Sequence, residues 1–265
     1  MDKKVTMQDV AEAAGVSKST VSFILNGRDD LRISEQTKKK VWQVINMLNY
    51  RPNLYAKNLR GTQTNKVIAF FMGQGLSDLE KLSFFEFFDT AANILLESGQ
   101  RAQLLLDIDR LDNVDAIVAK NLSKADFVSL AECNFIPLIA GDCVVSDPIF
   151  YEVSLDYKAL KDKADMALPT GYTYVCSCPK DERLRQQLLD VFPDVQFVKA
   201  CADLRELDVK AAFVTEPLLR NILLEIGKEV FYPEGLLERQ IRQILACVSL
   251  AVSHESLEQH SFTIA

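Results

Sequence analysis

The sequence predicts an all-α head followed by an α/β body with parallel sheets. One observation is a change of pattern: three short amphipathic stretches come first, and short apolar runs then alternate with amphipathic stretches. Another is a change of charge. Residues 1–66 carry 12 Lys and Arg against 6 Asp and Glu, net +6, whereas residues 67–265 carry 18 against 31, net −13. The basic head can therefore approach a polyanion that the acidic body would repel.

The composition narrows the class of protein. A chain of 265 residues with 48% hydrophobic content can bury a sizeable core in more than one domain. It contains no run of roughly 18 apolar residues, the length that a membrane span requires, and its N-terminus lacks the apolar centre of a signal peptide. We expect a soluble, cytoplasmic protein without a membrane partner.

The residue pattern gives no basis for metal binding or catalysis. The six cysteines are scattered without a CxxC pair, and Cys176 and Cys178 are separated by one residue, which suits neither a zinc site nor a redox motif. We expect free, reduced thiols. The two histidines, His254 and His260, have no acid/base partner arrangement. We expect no cofactor, no metal and no enzymatic activity.

The head, residues 1–50, is predicted to contain three helices. The first should run from about 7 to 14. Thr6 can cap it, with Asp9 at the third helical position in a variant of the capping box, and Gly15 can end it.

The second and third helices are predicted to be amphipathic. Ser17 can cap the second helix, which should reach about Asn26, and Ser34 begins the third. The second helix has an apolar face, which should be buried, and a polar face opposite; the third has one apolar stripe. The apolar face of the second helix contains Val21, Ile24 and Leu25, and its polar face contains Lys18, Ser19 and Ser22. The apolar stripe of the third helix contains Val41, Val44, Ile45 and Leu48.

Two helices joined by a tight glycine turn can place the second one in the DNA major groove, whose width admits one helix. The N-terminus of that helix offers N–H groups to phosphate oxygens, and the helix dipole assists. A surface helix with a solvated polar face would show the same local pattern, so this helix alone leaves both interpretations open.

Two stretches carry a resemblance: VTMQDVAEAAGVSKSTVSFILNG and TKKKVWQVINMLNYRPNLYAKNLRGTQT. They resemble the N-terminus of the lactose-repressor (LacI) family of bacterial transcription regulators. The resemblance implies a helix-turn-helix with the second helix as recognition helix, and double-stranded operator DNA as partner. It places one set of residues where the family touches phosphates or bases, and a second set at the variable pair that reads sequence. The residues at phosphate- or base-contacting positions are Thr6, Ser17, Thr20, Ser22 and Asn26. The variable pair is Lys18 and Ser19.

Two features depart from the family pattern. Phe23 stands where many members carry an arginine, which can bind guanine bidentately. A phenyl ring offers only apolar contact, for example to a thymine methyl group. The loop GRDDLRIS is also longer than that of the lactose repressor, so contacts made by that loop are not carried over.

Residues 51–62 predict a short helix that begins at Pro52 and is too short to be stable alone. In the family this is the hinge helix, which orders on DNA, pairs with its mate from a second subunit and inserts a leucine into the minor groove. Leu59 matches that leucine, and Asn53 and Ala56 match neighbours that face the groove. A leucine wedge can unstack a base step and bend the DNA. An ordinary linker is the alternative.

The body, residues 63–265, reads as alternating strands and helices. This alternation predicts parallel sheets with helices on both faces, and two such sheets leave a ligand cleft between them. The predicted strands are 66–72, 102–108, 115–119, 135–141, 172–177, 195–200 and 211–216. The predicted helices are 84–98, 124–133, 156–167, 181–192 and 217–227, before a final helix near the C-terminus.

The body more weakly resembles the family's periplasmic-binding-protein-like sensor domain, with two parallel-sheet subdomains that are truncated here. The loop GQGLSDLEKL lacks the cluster that usually lines the sugar site. Arg185 falls where the family keeps an effector-binding arginine, and Asp156 matches an aspartate that would cap a helix. We expect the body to have kept homodimerisation better than the sensing of a small-molecule effector.

The leading hypothesis is a dimeric repressor that binds a pseudo-palindromic operator, because one head alone makes too few contacts for tight specific binding. The alternative is a small-molecule binding module, for a sugar or a nucleobase, with incidental DNA contact. An enzyme is a third class, for which we find no catalytic constellation.

Overall fold

The computed structural model describes six stretches of the chain, which divides into two compact units, Met1–Gln63 and Thr64–Ala265. The predicted hinge segment 51–62, with Asn53, Ala56 and Leu59, lies outside the described residues, as does Asn26. The described stretches are 5–25, 33–48, 66–107, 114–134, 136–253 and 259–265.

The described part of the first unit, the head, contains three helices. They are α1 (Met7–Ala14), α2 (Lys18–Leu25) and α3 (Glu35–Met47). One apolar cluster joins them and contains those predicted apolar-face residues of α2 and α3 whose side chains are described. Its buried members are Val10, Ala11, Ala14, Val21, Ile24, Val41 and Ile45. The predicted three-helix head is therefore confirmed.

The second unit, the body, consists of two lobes. Strands of the first lobe are β1 (Val67–Phe71), β2 (Arg101–Leu105), β3 (Ala116–Lys120), β4 (Leu138–Gly141), β5 (Tyr151–Leu155) and β10 (Ser261–Ile264). Its helices are α4 (Asp78–Glu97), α5 (Lys124–Cys133) and α10 (Leu236–Ser253). Across the described residues its strands pair in parallel, in the order β10-β5-β4-β3-β1-β2.

Both faces of this first sheet are covered, so its central strands β1 and β3 are almost entirely apolar. In β1, Ile68 and Phe70 join the cluster under α4 and α10, whereas Ala69 and Phe71 join the cluster on the side of α5. Successive side chains of a strand point to opposite faces, and strands buried on both faces therefore read as continuous apolar runs. This is the physical reason why VIAFF and AIVAK were recognisable as strands.

The second lobe has a smaller parallel sheet. Its elements are α6 (Tyr157–Ala167), β6 (Thr173–Ser177), α7 (Glu182–Val191), β7 (Gln196–Val198), α8 (Cys201–Glu206), β8 (Ala211–Phe213), α9 (Pro217–Glu225) and β9 (Glu229–Phe231). The strand order in the described chain is β7-β6-β8-β9. Phe213 of β8 is fully buried and stacks on Tyr174 of β6 with ring centroids 4.9 Å apart.

The chain passes from the first lobe to the second between β5 and α6, and returns between β9 and α10. The two cores also touch, because Leu79 at the start of α4 is buried in the cluster of the second lobe. The predicted fold class, an all-α head and a body of two parallel-sheet subdomains, is confirmed.

Four elements were not predicted: β5, α8, β9 and β10. In β5, buried and half-buried residues alternate, so no continuous apolar run marks it. The strands β9 and β10 are short and lie at sheet edges, where most of their residues remain exposed or half-buried. Helix α4 also begins six residues earlier than predicted, at Asp78, because Ser77 and Glu80 form a capping box.

Candidate functional site

A tight turn joins α1 to α2. Gly15 ends α1 with φ of +66°, in the left-handed region that favours glycine. Ser17 then caps α2, because its Oγ accepts a hydrogen bond from the Thr20 N–H at 3.0 Å and lies 2.8 Å from the Thr20 hydroxyl. Three residues, 15–17, thus separate the two helices, as in a helix-turn-helix.

One face of α2 is anchored in the head core. Val21 is 0% exposed and Ile24 is 6% exposed, and both pack against residues of α1 and α3. The side chain of Leu25, which was predicted to join them, lies outside the described residues. Because this face is anchored, the side chains on the opposite face of α2 point away from the apolar core of the head.

The opposite face of α2 is formed by Lys18, Ser19, Ser22 and Phe23, which we call the reading face. Lys18 and Ser19 are exposed, and Ser22 and Phe23 are half-buried. Helical geometry places the four side chains within about 140° of the helix circumference. A cation, two small hydroxyls and an apolar ring thus lie together on a surface narrow enough to enter a major groove.

Thr6 is exposed but takes part in the cap of α1. Its N–H donates to Asp9 Oδ2 at 2.7 Å, and its hydroxyl donates to the same oxygen at 2.6 Å. The Thr6 Oγ in turn accepts from the Asp9 N–H at 3.3 Å, which completes the predicted capping box. A phosphate that accepted from the Thr6 hydroxyl would have to displace the Asp9 carboxylate.

A cleft separates the two lobes of the body at the carboxyl ends of the first sheet. Asn121 follows β3 and Asp142 follows β4, and both have left-handed φ values, of 53° and 50°. The cleft encloses a cavity of about 110 Å³. Pockets for drug-sized ligands measure roughly 300–1,000 Å³, so this cavity is small for a sugar or a nucleobase.

Polar side chains of the first lobe hold one another on one side of the cleft. Lys120 pairs with Asp142, and its Nζ lies 5.1 Å from the centre of the Phe87 ring. Gln240 of α10 donates from Nε2 to Asp142 Oδ1 at 2.8 Å. Lys120 and Asp142 are therefore committed to contacts within their own lobe.

Carboxylates from both lobes meet on the other side of the cleft. Glu216 accepts hydrogen bonds from the N–H and the hydroxyl of Ser177, each at 2.7 Å, and from the Ser83 hydroxyl of α4 at 2.9 Å. Glu86 of α4 accepts from the Leu218 N–H at 3.0 Å. Burial raises the pKa of the Glu86 carboxyl; the Leu218 N–H opposes this shift, and the charge of Glu216 adds to it.

Arg185, the predicted effector-binding arginine, is not among the described residues that line the cleft. Its Nη2 donates to the Pro179 carbonyl at 2.8 Å, and within the described structure its buried Nε makes no hydrogen bond. Asp156 caps α6 as predicted, since its Oδ1 accepts from the Ala159 N–H at 3.0 Å. The effector role of Arg185 stays a prediction.

The described residues offer few groups for other chemistry. Among them, no set of three or more His, Cys, Asp or Glu side chains could hold a metal ion. Burial, with a contribution from the charge of Asp181, raises the pKa of the Cys143 thiol to about 12, so this thiol stays protonated at neutral pH.

No helix within the described stretches is both long enough and apolar enough to cross a membrane.

The sequence profile of the lacI family of bacterial regulatory proteins matches residues 6–53, which include α1, α2 and α3. Over these residues the chain is similar to the LacI family. The matched range contains the whole reading face, so the residues that the geometry brings together on α2 lie within the part of the chain that carries the family signal.

Curated relatives match this chain over different lengths. A sucrose operon repressor of Klebsiella pneumoniae is 27% identical over 176 residues, which cover 64% of this chain and 48% of that repressor. The HTH-type transcriptional regulator DegA of Bacillus subtilis is 47% identical over 64 residues, 24% of this chain and 18% of the relative. The chain thus spans about half the length of the sucrose operon repressor that it matches.

Among solved structures, the lac repressor dimer bound to operator and an anti-inducer is similar to this chain. The sequences are 16% identical, the match covers 98% of this chain and 96% of the lac repressor chain, and the TM-score is 0.46.

The four residues that join the lobes, Ser83, Glu86, Ser177 and Glu216, were not predicted as site residues. One local signal was present. Glu216 precedes Pro217 at the start of α9, a position where Ser, Thr, Asp or Asn usually caps the helix. A glutamate there indicates that the cap is supplied in another way.

Proposed function

We propose that this chain is a sequence-specific DNA-binding transcription regulator of the LacI family. In this proposal it acts as a homodimer, most simply as a repressor, and places α2 in the major groove of a pseudo-palindromic operator. The observation that carries the proposal is the reading face of α2, with Lys18, Ser19, Ser22 and Phe23 turned away from a helix face anchored by Val21. Binding to duplex DNA is the function that this surface supports; that the chain acts in the cytoplasm and without catalysis is part of the proposal.

Two heads are needed for such a function. A single head buries too little surface for tight specific binding, whereas two heads related by a twofold axis read half-sites about one helical turn apart. Within each head, the N-terminus of α2 is available to phosphate oxygens. We propose that the hinge residues Asn53, Ala56 and Leu59 contribute minor-groove contacts, with Leu59 as the wedge.

We propose that effector sensing is lost or altered. The cavity of about 110 Å³ between the lobes is small for a sugar or a nucleobase. In addition, Lys120 and Asp142 are paired with each other, so their hydrogen-bonding capacity is largely used within the protein. Arg185 remains the residue to test if an effector is found.

The proposed function predicts a specific loss of affinity when Lys18 is replaced. In mobility-shift titrations of the full chain with a pseudo-palindromic operator and competitor DNA, Lys18→Ala should weaken binding about tenfold or more, because a cation on the reading face is lost. A plot of the logarithm of wild-type affinity against the logarithm of salt concentration should be linear, with a slope of about −0.9 for each phosphate that the protein neutralises. Lys163→Ala, an exposed lysine of the body, is the matched control and should change affinity less than twofold. Equal losses in both variants would contradict the proposal.

Phe23 should set a preference against guanine. Sites selected from random DNA by the wild-type chain should show no invariant guanine opposite Phe23, because a phenyl ring can contact a thymine methyl group but cannot form the two hydrogen bonds that guanine offers. Phe23→Arg should shift the selected base towards guanine. The prediction is wrong if wild-type selection already returns an invariant guanine at that position.

A further inference from the structure

We propose that the two lobes of the body are held closed by an internal latch, formed by Ser83 and Glu86 of the first lobe with Ser177 and Glu216 of the second, so that closure of the cleft requires no ligand. The latch is a property of the body alone. Only one consequence of the latch rests on the proposed DNA-binding function: the affinity for the operator should not depend on a ligand in the cleft.

The first part of the latch is the Glu216 carboxylate. It lies in the cleft and bridges the lobes, since it accepts from the Ser83 hydroxyl of α4 at 2.9 Å and from both the N–H and the hydroxyl of Ser177 at 2.7 Å. Hydrogen bonds to a charged acceptor are about twice as strong as neutral ones. The Glu216 carboxylate thus links groups of both lobes, as a ligand in the cleft would.

The second part is a helix cap supplied across the cleft. Pro217 stands at the first position of α9 and has no N–H, so Leu218 is the first residue of the helix that needs an acceptor. Within the described structure, the Glu216 side chain makes no capping hydrogen bond to α9. Glu86 of the other lobe supplies that acceptor instead, at 3.0 Å. Separation of the lobes would leave this N–H without its cap.

Further contacts follow the same interface. The Lys180 N–H of the second lobe donates to Asn121 Oδ1 at 3.1 Å, and Lys180 Nζ donates to the Gln74 carbonyl. Leu79, four residues before Ser83 on α4, is fully buried in the core of the second lobe. Polar and apolar contacts therefore act together, and the cavity that remains is only about 110 Å³. A closed body without ligand is the state that these contacts favour.

Amide hydrogen exchange of the full chain, with neither DNA nor ligand present, tests the latch. In the wild type, peptides that cover 174–180 and 216–222 should be protected. Ser83→Ala should speed exchange in both peptides, roughly tenfold or more. The 216–222 peptide is the decisive readout. Ser83 and the Ser177 N–H share the Glu216 carboxylate, whereas the Leu218 N–H is capped by Glu86, so opening of the lobes is what connects this N–H with Ser83. Glu86→Ala should act in the same way, whereas Glu86→Gln, which keeps an acceptor oxygen, should retain most of the protection.

Glu97→Ala, at an exposed position near the end of α4, is the matched control and should leave both peptides unchanged. Far-UV circular dichroism establishes that each variant is folded. The exchange measurement on the wild-type chain tests the latch even if a variant fails to fold. The latch is overturned if both wild-type peptides exchange as fast as unprotected amides. It is also overturned if Ser83→Ala leaves the 216–222 peptide unchanged, or if Glu86→Ala acts on 216–222 alone, since either result would indicate a local effect without lobe opening. Since no DNA is present, failure here is distinct from failure of operator binding.

Discussion

Replacing Val21 with aspartate should abolish specific operator binding while the thermal unfolding of the body stays unchanged. Val21 is 0% exposed and lies in the apolar cluster that joins the three helices of the head. An unpaired carboxylate in that position costs several kcal/mol, and a core as small as this one has little stability in reserve. With the head unfolded, affinity should fall to the non-specific level, about 10³-fold or more below specific binding.

Mobility-shift titration and differential scanning calorimetry of the same preparations check both halves of this result. Gln43→Asp is the matched control, because it introduces the same charge at an exposed position of α3. It should leave the head folded and change operator affinity far less than Val21→Asp. If Val21→Asp keeps wild-type affinity, the head core is not required for operator binding. If the thermal transition of the body is lost together with operator binding, the substitution does not act on the head alone.

The success at the head has a local physical origin. The bounds predicted for α1 match because its start and its end are determined by adjacent residues: the Thr6–Asp9 capping box and the left-handed Gly15. The faces of α2 were predictable for the same reason, since a helix repeats every 3.6 residues and its apolar positions mark the buried side. Neither inference required knowledge of a distant part of the chain.

The strands of the body that were easiest to predict are those buried on both faces, because such strands consist of a nearly continuous apolar run, as in β1 and β3. The strands β9 and β10 were missed because they are short and none of their residues is buried. Glu216 illustrates a further difficulty. The sequence predicts it at the end of a strand, 211–216, whereas β8 ends at Phe213 and Glu216 turns into the cleft.

The contacts between the lobes could not be predicted from sequence pattern. Ser83 and Glu216 are 133 residues apart in the chain, and Glu86 and Leu218 are 132 apart. No periodicity connects such positions, because their proximity results from the path of the chain out of the first lobe and back into it. A glutamate on a helix has the same appearance in the sequence whether it is solvated or caps another helix across a cleft.

Replacing Phe213 with alanine should destabilise the second lobe strongly and leave the head folded, the converse of the Val21 result. Phe213 is 0% exposed and contacts Tyr174, Phe192 and Phe231, with ring centroids 4.9, 5.8 and 5.9 Å away. Truncation of a buried phenylalanine costs about 3–5 kcal/mol, a large part of a typical stability of about 5–15 kcal/mol.

For a body of this size, that loss should lower the melting temperature by about 6–20 °C, since each kcal/mol corresponds to about 2–4 °C. Leu224→Ala, at a half-exposed position of α9, is the control and should shift the melting temperature far less. A shift below about 2 °C in Phe213→Ala would mean that the aromatic stack does not stabilise this lobe. Because β8 leads directly to Glu216 and α9, loss of the stack should also release the latch: the 216–222 peptide should then exchange faster even though Ser83 and Glu86 are intact.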